Sequence, residues 1–524
     1  MKYEVDDKAD TLAKRYAMLE TERNTFLERA RDAAVLTLPM LMPPEGHNYS
    51  TNYETPYQSV GSRGVNNLAS KLLLTLLPPN SPFFRLMIDD YDLAQVAGTD
   101  ARGAVEEALG RIERAGLQVI EGSAVRVPVF EALKQLIISG NALVYMPKNE
   151  GMKVFRLDRY VIKRDAMGNV LEIITKESIS PLMLDADVRE LLTDPEDKNI
   201  KNYDLYTKVC RKDKGWEVYQ EVQDILIPKS VGKYKDDTNP FIPLRFTRID
   251  GEDYGRGFVE EYIGDLKSLE ALTKSIVEGS AASAKVLFMV RPNGTTKAKN
   301  IATAPNGAII TGDVNDVGTL QVQKAMDFRV SMETMRIISD RLSFAFLLNS
   351  SVQRNAERVT AEEVRYMAQE LETALGGVYS ILSQEFQMPL VKLILNNLQS
   401  QGKMPKLPKD TVKPTIVTGM EALGRGQDLN KLAQFLQYLQ PLGVEVLQSE
   451  MNISDYIDRL GASLGIDTNG LIKSDEQKQA EAEQMQMMQQ QQMQEQMMAD
   501  MASKATPEAT KAIAQATQQQ QTET

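Results

Sequence analysis

The chain has 524 residues, room for about three or four globular units at roughly 150 residues each, and its 42 % hydrophobic content with 32 glycines is ordinary for a folded protein. One histidine, His47, and one cysteine, Cys210, exclude a His/Cys zinc site, iron–sulfur ligation and an intrachain disulfide, and a net charge of −12 argues against a protein that coats nucleic acid. The start, MKYEVDDKAD, has no basic and apolar leader pattern, and no run of 18 apolar residues occurs, which predicts neither export nor a membrane span; a lone thiol fits a reducing cytoplasm.

In chain order, Leu12, Tyr16, Leu19, Phe26, Ala30 and Ala34 recur at mostly three- and four-residue steps and predict a helix over 8–38, ended by LPMLMPPEGHNYS. Further helices are predicted over 65–77, closed by Pro78 and Pro79, and over about 104–123. The segment VPVFEALKQLIISGNALVYM predicts a helix breaking at Gly140 and then a buried strand. Strand patterns at 154–157, 170–175, 204–210 and 216–222 have the spacing of an antiparallel meander. A long helix follows, with Ile263, Leu266, Leu269, Leu272 and Ile276 along one side, ending in the small-residue run GSAASA at 279–284. That run suits either a close crossing within the chain or a contact between subunits.

Short β-rich pieces (VLFMV, GAIIT, TLQVQ) lead to a helix over about 328–348, the polar stretch NSSVQRNAERVT, and a helix predicted to run unbroken over 361–398. Thr360 with Glu363 forms a capping box at its start. Short helices are predicted at 428–439 and 453–464. The Met/Gln-rich tail from about Glu476 carries close to −5 of the net charge and predicts a helix to about Met501 with a loose end.

Motifs for chemistry fail one by one. A Walker loop needs Gly five residues before Gly-Lys, where this chain has Asn397 and Ile227. DVNDVG at 313–318 has Val317 and Lys324 at calcium-loop positions that require oxygen ligands. The acid pairs Asp89/Asp90 and Asp236/Asp237 lack a third ligand, and His47, in a loop with no partner that the sequence shows, reads as a surface residue and not as a general base. Cys210, followed by Arg211 and Lys212, reads as an inert half-buried thiol. Arg329 and Arg336, seven apart, share a helix face, with Glu333 and Asp340 as local partners in the plainest reading.

The strings YETPYQSVGSRGVNNLASKLLLTLLPPN, FEALKQLIISGNALVYMP and PFIPLRFTRIDGEDYGRGFVEEYIGDLKSLEAL, followed by RLSFAFLLNSSVQRNAERVTAEEVRYMAQELETALGGVYSILSQEFQMPLV and PTIVTGMEALGRGQDLNKL, stand in characteristic order. From about residue 10 to 475 the chain closely resembles the head-to-tail connectors, or portal proteins, of short-tailed, autographivirus-like double-stranded DNA phages. The Met/Gln tail lies outside the resemblance.

The resemblance implies a helix-rich α+β portal fold assembled as a ring of twelve around a channel. Its parts would be N-terminal helices and wing (1–260), a first stem helix (261–288), a small α/β clip (289–325), a second stem helix (326–348), a channel loop (349–360), a wing-return helix (361–400), an α-helical crown (401–475) and a tail (476–524). Leu266, Leu269, Ile276, Gly279, Ala281 and Ala282 are then expected to pack subunits together. Arg354, Arg358, Lys267, Lys274, Arg329 and Arg336 are expected to face DNA passing without base readout. It further implies no enzyme activity, cofactor or metal. The implied setting is a virion vertex, after assembly in the host cytoplasm. Expected partners are terminase, major capsid and scaffolding proteins, internal core proteins and a tail adaptor. A tail adaptor or other ring-forming virion protein is the alternative reading of the chain itself.

Overall fold

The computed structural model describes residues 11–48, 50–79, 83–87, 99–148, 151–192, 202–213, 215–283, 287–320, 325–348, 361–403, 415–418 and 426–442, then residues 453, 456–457, 460, 484–485 and 487–498. Two compact units divide the chain, 1–427 and 428–524. In the first, helix α1 (Leu12–Val35) starts where Thr11 accepts a hydrogen bond from the Lys14 amide, and its three- and four-residue spacing buries Tyr16, Leu19, Leu27, Ala30 and Ala34. Helix α2 (Val60–Leu76) is central, with Val65, Leu68, Ala69, Leu72 and Leu76 all buried. Helices α3 (Thr99–Gly122) and α4 (Arg126–Ser139) follow. As the spacing predicts, α4 ends at Gly140, whose φ of +74° is left-handed; a Cβ there would lie 2.3 Å from the backbone of Arg256, so no other residue fits.

Strand β2 (Asn141–Tyr145) is nearly all buried, as an apolar run flanked by Gly suggests. Its partners correct the predicted meander. The stretch around Val154 forms β3 (Lys153–Phe155), which pairs with β2 and leaves the meander to begin at β4 (Tyr160–Arg164). The meander then runs antiparallel through β5 (Val170–Ile179), β6 (Tyr203–Lys212), β7 (Gly215–Val222) and β8 (Ile225–Leu226), with β9 (Gly232–Tyr234) also on β7. Strand β10 (Phe241–Arg245) returns to β2, completing a separate three-stranded sheet in the order β10-β2-β3.

Alternation along the meander splits its side chains between two layers: Ile173, Val209 and Val218 join the main core, while Val161 and Ile174 pack under Tyr16 and Leu19 of α1. On the α1 side Glu172, 1 % exposed, is held by Arg15 of α1 at 2.8 Å and by the equally buried Lys208 at 3.2 Å. A buried carboxylate is tolerated only when paired in this way.

After a helical turn at Phe258–Glu261 come α5 (Ile263–Ser283), the antiparallel pair β11 (Leu287–Val290) and β12 (Val317–Leu320), and α6 (Ala325–Ala345). GAIIT forms no strand; Ile309 and Ile310 stand exposed in irregular chain. The unbroken helix predicted for 361–398 is also corrected. Helix α7 (Ala361–Ala374) stops before Gly376 and Gly377, both left-handed, and a turn at Val378–Leu382 passes through a π-helical stretch, Ser383–Gln387, into α8 (Met388–Ser400). Pro389, lacking an amide proton, sits where the wider turn ends. Thr360 of the expected capping box lies outside the described residues. Strand β13 (Thr415–Thr418) pairs with β1 (Phe84–Met87). The helix α9 (Gly426–Leu439) reaches into the second unit, and every described residue over 484–498 is helical and exposed.

Candidate functional site

Helices α5 and α6 pack against each other and bracket the β11/β12 piece, so the region the sequence marks as stem, clip and stem has a helix–strand pair–helix order. Leu266 and Leu269 of α5 and Ile338, Leu342 and Phe346 at the end of α6 are buried in the chain's main core. Three contacts set the antiparallel register. Arg341 pairs with Asp265, the Thr273 hydroxyl lies 3.6 Å from the Met335 sulfur, and Gly279 faces Phe328 so closely that a Cβ would come within 2.7 Å of the ring.

These positions correct part of the expected subunit surface. Leu266 and Leu269, 0 % and 2 % exposed, are already covered within one chain, and Gly279 serves the crossing of α5 and α6. Ile276 is half-buried, while Ala281 and Ala282 stay exposed. Periodicity marks an apolar face without saying which neighbour covers it.

The end of α6 is held with unusual care. Phe346 is fully buried, edge-on to Phe258 at 5.4 Å between ring centroids, and it fills the space beside Gly64 of α2. Leu347 takes a left-handed φ of +54°, a conformation disfavoured for a side chain of its size. The Asn67 side-chain amide donates to the carbonyls of both Phe346 and Leu347 at 3.0 Å, stabilising that reversal. The chain then enters 349–360. Arg354 and Arg358 lie outside the described residues.

Of the charged candidates, Lys267 reaches Asp32 at 3.5 Å, and Lys274 lies 4.0 Å from Glu278 and over the Tyr57 ring. All four ionic partners are more than half exposed, so these are weak pairs. Arg329 and Arg336 are exposed, and among the described residues neither joins an ion pair; Glu333 and Asp340, the expected local partners, do not engage them. Arg341 is instead drawn to the other helix by Asp265.

At the β11/β12 end, Asp316 is buried and accepts hydrogen bonds from the Thr295 hydroxyl and the Thr296 amide, both at 3.2 Å. These donors hold its carboxyl below the usual carboxylate range. Gly294 leaves the room the carboxylate occupies. The DVNDVG stretch is thus a turn braced by its own side chains. Phe288, Met289 and Val314 nearby are exposed. Sequence reasoning missed Asn67 and Asp316, because their partners are distant backbone groups or turn amides that no spacing announces.

Among the described residues no group of three His, Cys, Asp or Glu is placed to hold a metal ion, and no helix is long and apolar enough to cross a membrane. Cys210 is buried, and burial pushes its thiol up, as the inert reading expects. The arrangement offers braced helices and exposed charge.

Residues 9–472 match the model of the family described as bacteriophage head to tail connecting protein. This chain belongs to that family. The connector is 46 % identical to the portal protein of Enterobacteria phage T3 over 89 % of its length and 88 % of the relative's. It is 43 % identical to the portal protein of Escherichia phage T7 over 95 % of both chains, and 31 % identical to that of Enterobacteria phage SP6 over 90 % and 92 %. Its role is that of a portal, the head-to-tail connector that provides the channel for packaging and ejecting DNA, and it is a structural component of the virion.

Proposed function

We propose that the connector works as a ring of twelve copies at a capsid vertex, with α5 and α6 as the stem, 289–325 as the clip, 349–360 as a loop into the bore, 361–400 returning to the wing, and 401–475 as the crown. The observation that carries this reading is the α5/α6 pair. It is rooted in the core at Leu266, Leu269, Leu342 and Phe346, yet it leaves much of each helix's other face uncovered. In this reading Arg329 and Arg336, with Arg354 and Arg358 from the loop, face the duplex. Repeated cations of this kind attract phosphates without reading bases. The net charge of −12 keeps the whole ring from holding DNA fast, since a strongly basic bore would bind phosphates through counterion release. Terminase during packaging and a tail adaptor afterwards, with capsid, scaffolding and internal core proteins around the vertex, are the partners, and assembly takes place in the host cytoplasm.

Negative-stain imaging of the purified full-length chain tests the assembly, with a wide ring on a narrower stalk and a central hole as the expected image. A population of monomers at micromolar concentration would overturn the reading. For the channel, Arg354→Ala with Arg358→Ala should leave rings intact and reduce the yield of stably filled heads. Unchanged packaging and retention across salt concentrations would remove the loop from the role.

A further inference from the structure

Helix α6 carries an apolar row that no described residue of its own chain covers. Val330, Ile337 and Phe344, spaced by seven, are 67 %, 54 % and 76 % exposed, and Glu333 and Asp340 lie beside them, also exposed. On α5 the exposed side is built differently: Gly264, Ser268, Ala271 and Ser275 form a shallow seam, flanked by Lys267 and Lys274. One helix thus presents a ridge edged by acids, and the other a groove edged by lysines.

The register within the chain sets the heights of these features. Asp265 lies level with Arg341, Thr273 with Met335 and Gly279 with Phe328, so a step along α5 matches a step back along α6. Rotation about an axis parallel to the helices leaves heights unchanged. A neighbouring copy would therefore bring Lys267 level with Asp340, Lys274 with Glu333, Ala271 with Ile337 and Gly264 with Phe344. The sides agree as well. Turning in one sense around each helix at 3.6 residues per turn, the acids precede the ridge by about 50° and the lysines precede the seam by about 80°. For antiparallel helices, features displaced in the same sense meet.

Resting on the ring reading above, we propose which two surfaces make the contact between copies: the Val330–Ile337–Phe344 ridge of one copy seats in the Gly264–Ala271–Ser275 groove of the next, clamped by Lys267–Asp340 and Lys274–Glu333 pairs. A contact using two different surfaces propagates around a ring, whereas a self-complementary one stops at a dimer. It also assigns the two α5 lysines to assembly and leaves DNA contact to the arginines. Their weak pairs with Asp32 and Glu278 are readily exchanged for partners in a less solvated interface.

Charge exchange in the full-length chain tests the proposal. Lys267→Glu with Lys274→Glu, and separately Glu333→Lys with Asp340→Lys, should each raise the concentration for half-assembly on the order of tenfold or more, because like charges then face each other at two levels. Mixing the two variants should restore rings, since each then offers the other a complementary face; that rescue also shows that both variants fold. Ala271→Cys with Ile337→Cys should give a disulfide ladder ending in a closed species under mild oxidation, as Cys210 is buried. Normal rings from either charge variant alone, or Ile337→Cys alone cross-linking to itself as dimers, would overturn this pairing of ridge and groove while sparing the ring. If the unaltered chain forms no ring, the ring reading fails and this contact fails with it.

Discussion

Gly64 and Phe346 should be strongly coupled, and the sign of the Gly64→Ala effect should depend on which residue occupies position 346. A Cβ at 64 would lie 2.5 Å from the Phe346 ring Cγ and 2.9 Å from its Cβ and Cδ1. The ring has nowhere to retreat, being fully buried with Phe258 edge-on at 5.4 Å and Tyr262 at 6.0 Å. In the native background, overpacking of about 1–3 kcal/mol should outweigh the better helix propensity of alanine, about 1 kcal/mol, within α2. Phe346→Ala alone should cost about 3–5 kcal/mol, the usual loss for emptying an aromatic site. In the double variant the new methyl enters vacated space, so Gly64→Ala should now stabilise, giving a coupling of about 1–3 kcal/mol. Thermal unfolding followed by the single tryptophan, Trp216, which is buried in the same core, reads the cycle at about 1 °C per kcal/mol for a unit of this size. Protein concentration must be matched, because assembly shifts apparent stability. If Gly64→Ala destabilises both backgrounds equally, within about 0.5 kcal/mol, Phe346 is not what the glycine accommodates and the account of how α6 is anchored to α2 is wrong.

Glu172→Gln should cost about 3–5 kcal/mol by removing the buried carboxylate that the part-buried Arg15 and the buried Lys208 share, and limited proteolysis should then cut within α1; an unchanged melting temperature and digest would refute the clamp. Cys210 should react slowly with a thiol reagent at pH 8 in the native protein and quickly once unfolded, since burial raises its pKa and shrinks the thiolate fraction; equal rates would contradict its burial. Removing 476–524 should leave rings intact, as every described residue over 484–498 is exposed, and loss of soluble rings on truncation would show the tail to be part of the assembly.

Much of the fold and the family was legible in the chain itself. Heptad and three-to-four spacing located α1, α5 and α6, because an amphipathic helix must repeat with its own turn. Gly140 marked the end of α4, since only glycine takes its left-handed geometry against the Arg256 backbone. The long ordered strings carried the family, which local chemistry alone did not. Tertiary structure decided which neighbour each face meets. Val154 carried a strand pattern, but it pairs back onto β2, the strand just before it, whose other edge is filled by the distant β10, and so it joins that sheet instead of the meander. Leu266 and Leu269 read as one apolar stripe, yet the stripe is satisfied within the chain, whereas the equally periodic Val330, Ile337 and Phe344 remain uncovered. A repeat in sequence specifies the angle of a side chain about its own helix axis; only packing against distant segments decides whether that direction leads into the core or away from it.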